Sequence, residues 1–194
     1  MGYILARREE LLKEAEEIYR EIFRKSILCL EEKYHREGYK KSVTEVFTKT
    51  ARMWKENYEN KAASLGICTL YTSILRRTYA YRIVLLGEGF WLTRNAVELM
   101  WVPEGIPEFF ERDISFLMKK LKSIYPRLCR DEETAVRFLC AEYCHGAVYK
   151  LCADFLEEIL KEEEFLQLSK TEDFFVFFGD YRGEGEILYR VNER

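Results

Sequence analysis

Long apolar runs are missing from this 194-residue chain, and none approaches the roughly 20 residues that span a bilayer. The opening Met1-Gly2-Tyr3-Ile4-Leu5-Ala6 lacks the basic and long apolar stretches of a signal peptide, and Ala6 stands where a myristoylation signal carries Ser or Thr. These absences predict a soluble, cytoplasmic protein without a membrane partner. Histidine is scarce: His35 and His145 are the only two, which leaves few candidates for imidazole acid–base chemistry. The sequence contains no GxSxG, HExxH, P-loop or GxGxxG pattern. Its nearest glycine motif, Gly183-Glu184-Gly185, reads as a hairpin turn whose acid repels phosphate. The best-marked enzyme classes are thereby disfavoured, and no cofactor is expected.

CxxC pairs are also missing, although there are six cysteines, at 29, 68, 129, 140, 144 and 152. A chain of this length can bury a core without covalent staples, so reduced, buried thiols are expected. Cys140 and Cys144 share a helix face, but Cys152 lies eight positions beyond Cys144, about 12 Å along a helix axis, out of reach of one ion. His145 is rotated about 100° from Cys144. Neither a zinc site nor a Cys144–His145 catalytic pair follows, and no metal is expected.

What is present is apolar content of 48% with 34% charge, enough for a large core and incompatible with disorder. The net charge of −3 hides a division: residues 1–127 carry 23 Lys and Arg against 18 Asp and Glu, while 128–194 carry 8 against 16. Because the basic residues are interleaved with acids, nucleic-acid binding is disfavoured. The opposed halves attract each other within one chain or across a dimer.

Residues 1–63 read as a helical hairpin. Leu11, Ala15, Ile18, Ile22 and Cys29 recur near the helical period from Ile4 onward, flanked by Leu12, Tyr19, Phe23, Ile27 and Leu30. Gly38 is expected to end this helix, with Ser42 or Thr44 capping a second that runs to about Ala63. Residues 67–93 turn β-branched and aromatic, predicting a three-strand meander over 67–75, 78–86 and 90–93, with a turn at Gly87-Glu88-Gly89. Residues 107–164 read as further helices, one ending before Pro126 and the next capped by Asp131. Residues 173–191 read as a C-terminal hairpin that joins the meander or packs on the helices. The expected fold of 1–194 is one α+β domain, with about four helices beside a small antiparallel sheet.

Five residues stand out as an anion site. Arg82 is the lone charge in an apolar middle strand, and a guanidinium cannot escape burial by losing its proton, so it needs a carboxylate or an anion. An internal acid such as Glu186 would satisfy it. Alternatively, Arg82 joins Arg76 or Arg77 and a hydroxyl from Tyr79 or Tyr81 to receive an acidic ligand. Phe174, Phe175, Phe177 and Phe178 give an aromatic strand that must be covered on both faces or line a pocket, with Trp91, Tyr181 and Tyr189 as rim or interface residues. The leading functional expectation is a non-enzymatic protein-interaction or adaptor module that forms a homodimer through the wide stripes of its first two helices. The alternative is a small-molecule-binding protein or enzyme with an aromatic pocket between sheet and helices.

Overall fold

A computed structural model describes the backbone of residues 2–34 and 37–191 and the side chains of 6–32 and 40–191. Among these residues it shows six helices and a five-stranded sheet, in the order α1 (Gly2–Tyr34), α2 (Glu37–Asn57), β1 (Ala62–Thr69), α3 (Tyr71–Leu75), β2 (Tyr81–Gly87), a 3-10 turn (Phe90–Leu92), β3 (Ala96–Trp101), α4 (Ile106–Ile124), α5 (Arg130–Ile159), α6 (Glu163–Leu166), β4 (Lys170–Asp180) and β5 (Gly185–Arg190).

The sheet order is β3-β2-β1-β4-β5. β1 pairs antiparallel with β2 but parallel with β4, so the sheet is mixed, not purely antiparallel as expected. The cause is topological. The C-terminal hairpin does join the meander, but it arrives after three more helices and lies beside β1, entering in the direction β1 runs. With partners on both sides, β1 is buried along almost its whole length, which is why Leu65, Gly66, Ile67 and Cys68 follow one another without polar alternation. Gly66 has no alternative residue, since a Cβ there would lie 2.3 Å from Cζ of Phe177 and 2.7 Å from Cγ2 of Val84.

The meander differs from expectation at both turns. Ile67–Leu75 is not one strand: β1 ends at Thr69, and Tyr71–Leu75 closes into the short helix α3, tied by Ser73 Oγ donating to the Leu70 carbonyl at 2.7 Å. The middle strand begins at Tyr81 and not at Thr78. Phe90–Leu92 is a 3-10 turn whose entry is set by Gly89 at φ 94°, and the third strand is 96–101, which the sequence reading left unassigned.

Helix boundaries also move. Gly38 lies inside α2, in a first turn whose N–H groups have no intrahelical partner, where glycine weakens little. Ser42 and Thr44 are therefore interior and not caps, and α2 stops at Asn57, short of Ala63. His35 falls outside the described residues. At the start of α5 the capping residue is Cys129 and not Asp131, with the Cys129 N–H donating to Glu132 at 2.9 Å.

Two cores result, and α5 serves both. Its C-terminal half packs with Phe47, Ala51 and Trp54 of α2 on the inward sheet residues Leu65, Ile83, Leu85, Phe174 and Val176. Its N-terminal half packs with Leu11, Ala15 and Tyr19 of α1 and Phe110, Ile114 and Leu117 of α4. α1 and α2 touch, as a hairpin predicts, yet each packs chiefly elsewhere, α1 on α4 and α5 and α2 on the sheet. Their apolar stripes are thus consumed within one chain, although Cys29 is exposed and not part of the buried stripe. On the far side of the sheet Cys68, Val84, Leu86 and Phe177 form a thinner cluster under Phe90, Trp91, Phe175 and Tyr181.

Candidate functional site

The chain leaves α3 through two left-handed residues, Arg77 at φ 57° and Tyr79 at φ 50°, with Thr78 between them. Neither is glycine, so this turn is held against its own preference, a pattern that concentrates at functional positions. Its effect is to throw the Tyr79 ring out of line with β2 and into the helical core, 5.0 Å from the Phe110 ring in an edge contact. The Tyr79 hydroxyl there donates to Oε1 of Glu111 on α4 and accepts from Nη1 of Arg137 on α5. Arg137 closes the triangle with two hydrogen bonds to Glu111, Nη1 to Oε1 at 2.6 Å and Nη2 to Oε2 at 3.3 Å. The Arg137 side chain is only 12% exposed, while Glu111, at 33%, faces outward.

Glu111 borders a cavity of about 530 Å³ between α3, α4 and α5, lined also by Arg77, Lys122, Arg130, Glu133 and Arg137. Lys122 and Glu133 pair at 2.7 Å. Arg77 and Arg130 have no ion pair among the described residues. Four cations thus face two carboxylates, leaving the lining with two positive charges in excess. Burial alone would raise the Glu111 pKa, but hydrogen bonds from Arg137 and Tyr79 and the charges of Arg137 and Arg77 outweigh it and hold the carboxyl below its ordinary range. Burial, with the hydrogen bond to Glu111, pushes the Tyr79 phenol well above its ordinary value, so Tyr79 stays a donor.

The five residues singled out from sequence do not form one site. Arg77 and Tyr79 meet beside this cavity, and Arg76 is exposed nearby on the same turn. Tyr81 faces the helical side of the sheet, its hydroxyl 2.7 Å from Nδ1 of His145 and the two rings edge to face at 5.6 Å. His145 borders a separate concavity of about 560 Å³ at the carboxyl ends of β1 and β4, with Thr69, Glu142, Tyr149 and Asp180 around it. Burial lowers the His145 pKa to about 4 against the pull of Asp180, so the imidazole is neutral at pH 7. Thr69 Oγ1 donates to Asp180 Oδ1 at 2.5 Å, linking the two parallel strands at their ends.

Arg82 lies on the opposite face. It pairs with Glu98 of β3 at 2.8 Å, and its guanidinium sits 4.7 Å over the Tyr181 ring, whose hydroxyl also donates to Glu98 at 2.9 Å. The internal carboxylate that Arg82 requires is therefore Glu98 on the neighbouring strand, and Glu186 instead borders the His145 concavity. Trp91 joins this face, its ring 5.3 Å from that of Tyr181.

Sequence reasoning missed the cations that make the first cavity, Lys122, Arg130 and Arg137. One signal was available: Arg137 keeps helical register with Cys140, Ala141 and Cys144, so a permanent charge stands on an otherwise core-facing stripe and needs a partner. Cys68, Cys140 and Cys152 are buried thiols, and burial pushes the Cys68 thiol up to about 12. Cys144 turns toward the helical core while His145 turns to Tyr81, as helical geometry requires. Among the described residues no three His, Cys, Asp or Glu side chains are placed to share a metal ion, and no helix is long and apolar enough to cross a membrane. No protein-family model, curated protein or solved structure matches the chain.

Proposed function

We propose that this chain is a non-enzymatic binding protein that takes a small anion in the cavity between α3, α4 and α5. The observation that carries this reading is the excess of guanidinium and ammonium groups there, with Arg77 and Arg130 free of ion pairs among the described residues and Arg77 aimed by a strained turn. A guanidinium offers paired N–H donors that match the oxygens of carboxylate or phosphate. The volume, about 530 Å³, suits a small molecule. The test is thermal unfolding in phosphate or citrate against chloride at equal ionic strength, with the double variant Arg77→Ala and Arg130→Ala as control. Both arginines are exposed, so the variant should fold. Stabilisation by the polyvalent anions that the double variant loses supports the reading. Equal responses in all salts, or in both proteins, reject it.

A protein-interaction role with self-association is a second reading, favoured by one feature. β3 is an edge strand whose register, fixed by the Gly87 N–H to Asn95 carbonyl bond of 3.0 Å, turns the backbone groups of Glu98 and Met100 outward. Met100 and Val102 are 54% and 47% exposed beside them, an arrangement that suits strand addition. Light scattering tests it, and a strictly monomeric mass at high micromolar concentration rejects self-association.

A further inference from the structure

The Glu111 carboxylate already occupies the place an anion would take. Its two oxygens lie across the fork of Arg137 and receive a third hydrogen bond from Tyr79, the contact set that a phosphate group makes with an arginine and a hydroxyl. It is held by side-chain contacts at the cavity wall and is one-third exposed. Arg77 and Arg130 border the same space without a carboxylate of their own among the described residues, so an anion drawn in by them arrives next to Glu111.

Resting on the anion-binding reading, we propose that Glu111 is a resident counter-ion and that the ligand is a small phosphate monoester, whose phosphate displaces Glu111 from Arg137 and Tyr79. Charge selects the dianion. With Glu111 turned to water, Arg77, Lys122, Arg130 and Arg137 face Glu133 alone, three positive charges in excess, most of which a phosphate monoester, at about −1.5 to −2 near pH 7, offsets. A monocarboxylate offsets only one of them. Displacement also exchanges like for like: Arg137 keeps a bidentate oxygen partner, Tyr79 keeps an acceptor, and the released carboxylate, already at the exposed wall, turns to water. The ligand-free protein thus never holds the largely buried Arg137 unpaired, and binding opposes only a partly solvated ion pair.

The experiment titrates inorganic phosphate, glycerol phosphate and acetate into the wild type and Glu111→Gln by calorimetry. Glutamine keeps an acceptor for Tyr79 and removes the competing charge. About tenfold tighter phosphate and glycerol phosphate binding by Glu111→Gln is expected, the order of effect of removing one nearby charge at a partly solvated site. Acetate should bind both proteins much more weakly than phosphate. Glu111→Asp, which draws the carboxylate back by one methylene and preserves charge, should give a smaller gain of about threefold and serves if Glu111→Gln does not fold. If the wild type binds phosphate and neither variant binds it more tightly, displacement is wrong while the anion site stands. If acetate matches phosphate, the assignment to a dianion is overturned. If folded wild type and variants all ignore phosphate, the anion-binding reading itself falls and takes this inference with it.

Discussion

His145 should make the protein sensitive to mild acid, and the size of the effect follows from its surroundings. Burial carries the imidazole from the ordinary 6.5 down to about 4 in the folded chain, so folding requires the neutral ring. A base with a depressed folded pKa contributes stability that is fully present above the unfolded value and is lost as pH falls through the folded value. The window is therefore pH 6.5 down to about 4. Each pKa unit is worth about 1.4 kcal/mol, so the full loss is about 3 kcal/mol, of which about 2 kcal/mol falls between pH 7 and pH 5. That is a large part of the roughly 5–15 kcal/mol that holds a domain together.

The perturbation is His145→Asn, whose side-chain oxygen falls near the place of Nδ1 and can still partner the Tyr81 hydroxyl. Urea unfolding at pH 7 and pH 5, followed by the fluorescence of the three tryptophans, gives the stability of each protein. Glu142 and Asp180 share the concavity with His145. Burial, with the charge of Asp180, raises the Glu142 pKa, which acts in the opposite sense to His145 because its protonation on acidification favours the fold. Both acids are common to the two proteins, so the informative quantity is the difference between the two losses. The wild type should lose about 2 kcal/mol more than His145→Asn on going to pH 5. Equal losses would show that His145 is protonated in the fold and would refute its assignment as a buried neutral base.

Gly66→Ala should destabilise by about 3 kcal/mol or more, because the new methyl meets Phe177 and Val84 at distances no packed carbon tolerates, and Phe177→Leu should recover part of the loss. Arg82→Met should cost about 1 kcal/mol in urea midpoints whether or not phosphate is present, since Arg82 and Glu98 are each about one-third exposed and water relieves the carboxylate left behind. A larger loss that anions reverse would move the ligand to that face of the sheet. Millimolar reductant should leave stability unchanged, because none of the six cysteines is bridged, and a thiol reagent should label Cys29 and Cys129 well before Cys68, Cys140 and Cys152.

Helices were the most legible part of this fold, for a physical reason. α4 needs only its own sequence: Pro107 at the start, Glu108 in the first turn, Lys122 in the last, and a core stripe of Phe110, Ile114, Leu117 and Leu121. The C-terminal hairpin was legible likewise, since Gly183 and Gly185 mark its turn. β3 was hidden because Ala96–Trp101 is an edge strand that keeps Glu98 and Met100 toward solvent and so lacks a strong apolar signal. The parallel partnership of β1 with β4 was hidden because it joins segments about a hundred residues apart, and no local pattern specifies it.

The division of the candidate site has a more particular cause. Alternation along a strand places Tyr79, Tyr81, Ile83 and Leu85 on one face, and that expectation holds from Tyr81 onward. Tyr79 escapes it because the strand has not yet begun and its positive φ breaks the two-residue period. Two tyrosines two positions apart therefore enter different cores, one closing on Glu111 and Arg137 and the other on His145. Arg82, the next residue, takes the third direction because it is within the strand and must point away from Tyr81. Positive φ at a non-glycine residue leaves no compositional mark, whereas a charge on a core stripe does. Arg137 is therefore the position from which the cavity could have been read without a structure: a permanent charge in register with Cys140 and Cys144 requires a carboxylate on a neighbouring helix, and α4 supplies it at Glu111.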